Sequence, residues 1–175
     1  MILAIYFFDT CALLYRYADE PNVDRVQLRR VRRLISNHRA KSYAADLSVI
    51  EVASGLAAAC RRHNWSLKKF DSMYREFFED LASERVRLRT VTQREFVSAT
   101  HILRFAGVIK RLKLQSADAM IAECCRELAL ESGERVVFYT ADWKLYFILR
   151  SIDRFKKALK LRYLGQGRGG IPPTT

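Results

Sequence analysis

Two short runs of apolar, β-branched and aromatic residues constrain the fold most. They occupy positions 2–8 and 135–139, the second after a leading Arg, and neither alternates with polar residues. A strand without a polar face is buried on both sides, as in a parallel sheet that helices cover. Helical periodicities lie between the two runs. The sequence therefore predicts an α/β fold with a mainly parallel central sheet and helices on both faces.

Weaker patterns complete the prediction. Further strands are expected at residues 43–46, 86–91 and 159–164, and a turn at Pro21. Helices are expected at residues 10–17, 22–38, 48–62, 66–81, 92–105, 116–131 and 141–150. Residues 1–164 are predicted to form one domain, and the Gly- and Pro-rich segment 165–175 a flexible tail.

The charge is strongly unbalanced. The sequence contains thirty-one Lys and Arg residues but only nineteen Asp and Glu residues, which gives a formal net charge of +12. Such a surface attracts polyanions.

The four cysteines form no C-x-x-C or other metal-binding spacing, which predicts free thiols in a reducing compartment. No apolar run approaches the ~18 residues of a membrane span, and the apolar start lacks the features of a signal peptide. We therefore expect a cytoplasmic protein with no membrane partner.

Two aspartates directly follow the buried strand patterns. Asp9 comes after the first strand and Asp142 just after the strand at 135–139. Ligand sites of parallel sheets lie beyond the carboxyl ends of the strands. An N-terminal helix cap is an equal alternative for each. Thr140 is an equally plausible cap for the helix that follows, which would leave Asp142 free for other chemistry.

Two further acids stand on apolar helices. Asp118 shares a helix stripe with Ile121, Ala122 and Cys125, whereas Glu123, Glu127 and Glu131 are expected on the solvent side. A buried carboxylate is costly unless it is paired or metal-bound. The alternative for Asp118 is to satisfy free N–H groups in the first helical turn.

Glu51 lies in a helix that is apolar on nearly every side. Ser48 and Glu51 have the spacing of a capping box, in which Glu51 would accept from the Ser48 backbone. Participation in an acidic pocket is an equal alternative. Together, the four acids can converge at one rim of the sheet, where a hard cation such as Mg²⁺ or Mn²⁺ would relieve their repulsion.

In this order, the motifs resemble those of the PIN domain, and most closely the VapC-type toxins of toxin–antitoxin pairs. The matching segments are Asp9-Thr10-x-x-Leu13, Ser48-x-x-Glu51, Asp118-Ala119-x-Ile121-Ala122 and Thr140-x-Asp142. The resemblance implies a three-layer sandwich, often dimeric, with metal-dependent endoribonuclease activity. It implies that Asp9, Glu51, Asp118 and Asp142 are catalytic metal ligands, and that Thr10, Ser48 and Thr140 support them.

The expected partners are RNA, a small antitoxin protein and a second copy of the chain. The side chains expected to hold the RNA backbone are basic, namely Arg29, Arg30, Arg33, Lys110, Arg111 and Lys113. Two alternatives remain open, a housekeeping RNA-processing nuclease and a nucleic-acid-binding module without catalysis. An aspartate-nucleophile phosphatase is disfavoured, because its second Asp would stand where this chain has Cys11.

Overall fold

Five parallel strands form one sheet in the order β3-β2-β1-β4-β5. The computed structural model describes residues 4–18, 25–37 and 39–165. The strands are β1 (Ala4–Phe8), β2 (Ala40–Ala45), β3 (Arg87–Arg89), β4 (Val136–Thr140) and β5 (Leu159–Tyr163). Phe7 at the centre of β1 is paired with Tyr43 on one side and Phe138 on the other. The predicted α/β fold with a parallel sheet is confirmed.

Helices connect the strands, and their positions agree closely with the periodicities in the sequence. They are α1 (Thr10–Tyr17), α2 (Arg25–Ile35), α3 (Leu47–His63), α4 (Leu67–Ala82), α5 (Gln93–Arg104), α6 (Ser116–Ser132), α7 (Trp143–Ser151) and α8 (Asp153–Ala158). The last of these was not predicted. Helix α5 ends at Arg104, next to its predicted end at residue 105, and the chain continues through an unpredicted π-helical segment, Phe105–Ile109. The predicted turn at Pro21 and the predicted tail beyond Gly165 lie outside the described residues.

Two apolar cores lie on opposite faces of the sheet, because successive side chains of a strand point in opposite directions. Phe7 and Phe138 pack against α5, α6 and α8. Phe8 and Tyr139 pack with α1, α3 and α4 on the other face, and their rings stack at 5.3 Å. This arrangement explains why the two strand patterns contain no polar face.

The strand order creates a crevice between β1 and β4. After β1 the chain returns to β2, which lies on the side of β1 away from β4. After β4 it returns to β5, which lies on the side of β4 away from β1. The connections that follow the two central strands therefore diverge, and ligand sites of open α/β sheets lie at such a point. The Asp9 N–H donates to the Tyr139 carbonyl oxygen at 3.0 Å, so the two strands stay paired up to the rim.

The prediction of a solvent-facing acidic side on α6 was right for Glu131, which is exposed, and wrong for Glu123 and Glu127. Glu123 and Glu127 are buried. Arg126 and Arg154 donate to Glu123, and Arg126 also donates to Glu127. Helix α5 and the unpredicted α8 contact α6 and cover this side, and the buried carboxylates are tolerated because arginines pair with them.

The predicted free cysteines are confirmed. All four cysteines are free. Cys124 and Cys125 are buried. Among the described residues, no helix combines the length and the apolarity that crossing a bilayer requires.

Candidate functional site

Asp9 is both a helix cap and a source of one unused carboxylate oxygen. Its Oδ1 accepts a 2.6 Å hydrogen bond from the Ala12 N–H at the start of α1. Its Oδ2 is buried and makes no hydrogen bond of good geometry, although buried polar atoms nearly always make one. The nearby Thr140 hydroxyl still lowers the pKa of this carboxyl, but by less than burial raises it. The two interpretations of Asp9 are therefore compatible, because one oxygen fixes the side chain and the other remains available to a ligand.

Glu51 is held by Thr10 and not by its own helix terminus. The Thr10 hydroxyl donates to Glu51 Oε2 at 2.5 Å, and the Ser48 hydroxyl lies 3.2 Å from Thr10 Oγ1. A hydroxyl has one proton, so Ser48 is left to donate to Thr10. The capping-box alternative for Glu51 is therefore wrong.

The residue that caps α3 was missed by the sequence analysis. Asp46 directly follows β2, and its Oδ1 accepts from the Leu47 N–H at 2.8 Å and from the Val91 N–H at 3.3 Å. These bonds join the ends of β2 and β3. Its position after a strand could have indicated this role, but β2 was predicted too short and too weak to make its end informative.

Asp142 caps α7, which contradicts the suggestion that Thr140 would do so. Asp142 Oδ1 accepts from the N–H groups of Lys144 at 2.7 Å and Leu145 at 3.3 Å. Thr140 Oγ1 instead accepts from the Asp142 N–H at 3.0 Å. Thr140 thus supports the turn that carries Asp142 to the carboxyl end of β4.

Asp118 lies in the first turn of α6 and is half-buried. Burial, together with the negative charges of Asp142 and Glu51, raises its pKa to about 7. Burial also raises the pKa of Asp9 to about 8, and the charges of Asp118 and Asp142 add to the effect. The fold therefore brings the four predicted acids close enough to repel one another.

Cys11 is a further side chain at this cluster. Desolvation of its thiol and the negative charges of all four acids raise its pKa well above the usual range. Its place beside the acids was not predictable from the sequence, because a Cys two positions after Asp9 has no recognisable metal-binding spacing.

The acids do not already stand in a tight coordination geometry. Within the described part of the chain, no three Asp, Glu, His or Cys side chains form a group that could hold a metal ion. Oxygens of Asp9, Asp142 and Glu51 are engaged in protein hydrogen bonds. Their donor set nevertheless fits a hard divalent cation, since it consists of oxygens and includes the unpartnered Asp9 Oδ2.

The predicted basic contacts occupy two separate places. Three are exposed arginines on α2, namely Arg29, Arg30 and Arg33. Three lie between the π-helical segment and α6, namely Lys110, Arg111 and Lys113. The Arg30 guanidinium lies over the Tyr139 ring, and Lys110 lies over Phe147. The aromatic partners could not be found from the sequence, because neither contact joins neighbouring residues.

Comparison with protein families matches residues 6–148 to the PIN domain. The chain belongs to the PIN domain family. The matched segment contains all four acids. A search of curated proteins found no match.

Solved structures share the fold of this PIN domain. VapBC2 from Rickettsia felis, bound to a DNA fragment from its promoter, aligns with a TM-score of 0.56 and 17% identity over 90% of this chain and 98% of that chain. FitAcB from Neisseria gonorrhoeae aligns with a TM-score of 0.55 and 18% identity over 82% and 91%. VapBC-1 from nontypeable Haemophilus influenzae aligns with a TM-score of 0.53 and 17% identity over 91% of this chain and 98% of that chain. At such identities the likeness concerns the fold.

Proposed function

We propose that this PIN domain is a Mg²⁺- or Mn²⁺-dependent endoribonuclease that hydrolyses phosphodiester bonds of single-stranded RNA. The buried, unpartnered Oδ2 of Asp9 carries the proposal. Asp9 belongs to a cluster of four acids. Within this cluster burial makes the largest contribution to the raised pKa of Asp118, and repulsion by Asp142 and Glu51 raises that pKa further. A hard cation would reduce the repulsion between the acids and would give the Oδ2 of Asp9 a partner.

The residues proposed to hold one or two such ions are Asp9, Asp118 and Asp142, with Glu51 as a further ligand or a base. When bound, the ion supplies an activated water and neutralises charge on the scissile phosphate. No His or Lys is required as a nucleophile.

The supporting residues act by fixing these carboxylates. The N-cap bonds of Asp9 and Asp142 leave the second oxygen of each side chain for the ligand. Thr10 holds Glu51 toward the start of α1, and Ser48 in turn supports Thr10. This fixation limits the rearrangement that ligand binding requires, which is the usual value of preorganisation in a site.

The same proposal includes a role as the toxin of a toxin–antitoxin pair. The order of the four acidic motifs resembles that of VapC-type toxins, and three solved neighbours carry the names VapBC or FitAcB. A small antitoxin protein and a second copy of the chain are the partners we expect, in the cytoplasm.

The deciding experiment is expression in a bacterial host, combined with an assay of the purified protein. We expect growth arrest with the unchanged chain and normal growth with Asp118→Asn. Cleavage of single-stranded RNA should require Mg²⁺ or Mn²⁺ and should stop in chelator. Asp153→Asn is the matched control, since Asp153 is an exposed acid paired with Lys156.

Two outcomes would contradict the proposal in different ways. Metal-dependent cleavage without growth arrest would remove the toxin role and favour an RNA-processing nuclease. RNA that is bound but left intact with either metal ion, whether or not Asp118 is changed, would indicate a binding module without catalysis.

A further inference from the structure

Two aromatic residues that flank Asp142 in the sequence each have a basic side chain over their ring. The Arg30 Cζ lies 5.7 Å from the ring centroid of Tyr139, three residues before Asp142. The Lys110 Nζ lies 5.5 Å from the ring centroid of Phe147, five residues after Asp142. Each contact links a distant basic segment to an element next to Asp142, namely β4 for Arg30 and α7 for Lys110.

The first segment, which we call the α2 patch, consists of Arg29, Arg30 and Arg33. Together with Val26 these arginines line a cavity of 420 Å³, and no carboxylate is found among the described residues of its wall. All three are exposed. A guanidinium that lies on an aromatic ring keeps its N–H edge available for a phosphate. The α2 patch therefore has the chemistry of a phosphate-binding surface.

The second segment, the loop patch, consists of Lys110, Arg111 and Lys113. It connects the π-helical segment to α6, whose first turn carries Asp118. Hydrogen bonds fix its start, from the Lys110 N–H to the Phe105 carbonyl at 3.1 Å and from the Leu112 N–H to the Ala106 carbonyl at 2.9 Å. Arg111 between them has a φ of 51°, which is uncommon for a residue other than Gly. The backbone thus holds these cations in a defined place.

The two patches belong to opposite layers of the sandwich. Tyr139, beneath Arg30, is part of the core that packs α1 and α3. Phe105 and Leu112, beside the loop patch, pack against the other core. Because each helical layer is about 10 Å thick, the patches are separated by roughly 20 Å. Asp9 and Asp142 follow β1 and β4 at the carboxyl edge of the sheet, which is the layer between these two helical layers.

We propose that one single strand of RNA crosses this rim from the α2 patch to the loop patch, with the scissile phosphate above the acids and outer phosphates on the two sets of cations. This inference rests on the proposed nuclease function and adds the path of its substrate. A flexible single strand can bend over such an edge, whereas a duplex is stiffer and is recognised mostly through its regular shape.

Binding should be measured with the Asp118→Asn protein in chelator, so that no cleavage is needed. The probe is a fluorescent single-stranded RNA of about 12 nucleotides, followed by anisotropy. We expect R29A/R30A/R33A and K110A/R111A/K113A each to weaken binding by about tenfold or more. Each should also reduce the slope of log affinity against log salt by about 2, since a single strand contributes ~0.7 per neutralised phosphate.

A charge-matched control is available where α3 ends and α4 begins. The variant R61A/K68A/K69A also removes three exposed cations. Helix α3 has 17 residues and starts at the rim, so its end is about 25 Å away at 1.5 Å per residue. Binding by this variant should stay within about twofold of the parent. An equal loss would mean that net charge, and not a defined path, attracts the RNA.

Neutral methylphosphonate groups placed one at a time along the RNA test the crossing itself. We expect two separate groups of sensitive phosphates with an insensitive interval between them. Loss of the α2 patch should remove one group, and loss of the loop patch the other. A single group lost in both variants, or equal binding of a DNA duplex through the same cations, would overturn the proposed path.

Failure of the path and failure of the nuclease function give different results. If RNA is cut but neither patch affects binding, the path is wrong and the nuclease stands. If both patches bind RNA as expected but the unchanged protein never cuts it, the nuclease proposal fails and the surface remains an RNA-binding one.

Discussion

The hydroxyl of Thr10, the first residue of α1, donates a 2.5 Å hydrogen bond to Oε2 of Glu51 in α3, 41 residues further along the chain. The bond links α1, which Asp9 caps, to α3, which Asp46 caps. The position of one acid of the site therefore depends on the packing of two helices, and not on the local conformation of either.

Replacing Thr10 with Val removes this bond with little change in volume. We expect the protein to stay folded and its RNA cleavage to fall by about 10- to 100-fold, because hydrogen bonds to charged groups are worth about 1.5–3 kcal/mol. Thr10→Ser, which retains the hydroxyl, should recover most of the activity. Single-turnover cleavage rates and circular dichroism provide the measurement. An unchanged rate in Thr10→Val would show that Glu51 needs no tether.

A close contact between α1 and α3 can be tested in the same way. A Cβ on Gly55 would lie 2.6 Å from Leu14 Cδ1 and 3.3 Å from its Cγ. Gly55→Ala should therefore shift Leu14 or separate the two helices and should lower activity through the Thr10–Glu51 bond. Adding Leu14→Ala should restore activity at some cost in stability. If Gly55→Ala alone is fully active, Leu14 simply rotates away.

The raised pKa values of Asp9 and Asp118 predict a stability that depends on pH in chelator. In the unfolded chain both groups titrate near the ordinary value of about 4, whereas in the folded chain they titrate near 8 and 7. The folded state therefore binds more protons in this interval. The contribution of Asp9 and Asp118 to the free energy of unfolding should therefore be largest at low pH. It should be lost as the pH rises through the pKa values that the two groups have in the folded chain.

Melting temperatures in chelator between about pH 5 and pH 9 check this sign. The unchanged protein should lose more on going to high pH than Asp118→Asn, which lacks one of the two groups. The difference should be several degrees, since 1 kcal/mol corresponds to about 2–4 °C for a domain of this size. Added Mn²⁺ should reverse the trend, because it binds the ionised carboxylates. A pH profile that is identical in the two proteins would contradict the prediction.

Asp80 should be a major determinant of stability far from the acidic cluster. It is fully buried and accepts hydrogen bonds from Arg16 Nε at 2.9 Å, the Tyr17 hydroxyl at 3.1 Å and Arg85 Nη1 at 2.7 Å. Asp80→Leu would leave Arg16, whose side chain is only 12% exposed, without this partner. Removing one member of a buried pair costs about 3–5 kcal/mol.

Urea denaturation provides the measurement for Asp80→Leu. The matched control is Asp153→Leu, which breaks the exposed pair with Lys156 and should cost no more than about 1 kcal/mol. If the two variants lose the same stability, the buried network around Asp80 contributes little.

Much of the fold was predictable because its signals are local. The strands β1 and β4 are apolar on both faces, so their residue types alone indicate a covered parallel sheet. Gly133 ends α6 with a φ of 66°, a backbone conformation that favours Gly. The helix α8 has only six residues, and so short a helix has too few turns to give a clear periodicity.

That the four acids lie close together was predictable, but their hydrogen-bond partners were not. Asp9 and Asp142 follow strands, and the carboxyl ends of parallel strands share one edge, so their convergence follows from the sheet. Whether Glu51 bonds Ser48 or Thr10 depends on how closely α3 approaches α1. The buried Glu123 shows the same limit, since the helical pattern of α6 does not reveal that Arg154 covers its polar side.

Residue preferences and periodicities within short windows predict seven of the eight described α-helices, the two central strands and the positions of four acids along the chain. They do not predict which oxygen of Asp9 remains free, which hydroxyl holds Glu51 or which rings lie beneath Arg30 and Lys110. Those contacts join segments that are distant in sequence, and they form only when the sheet order and the helix packing bring the segments together.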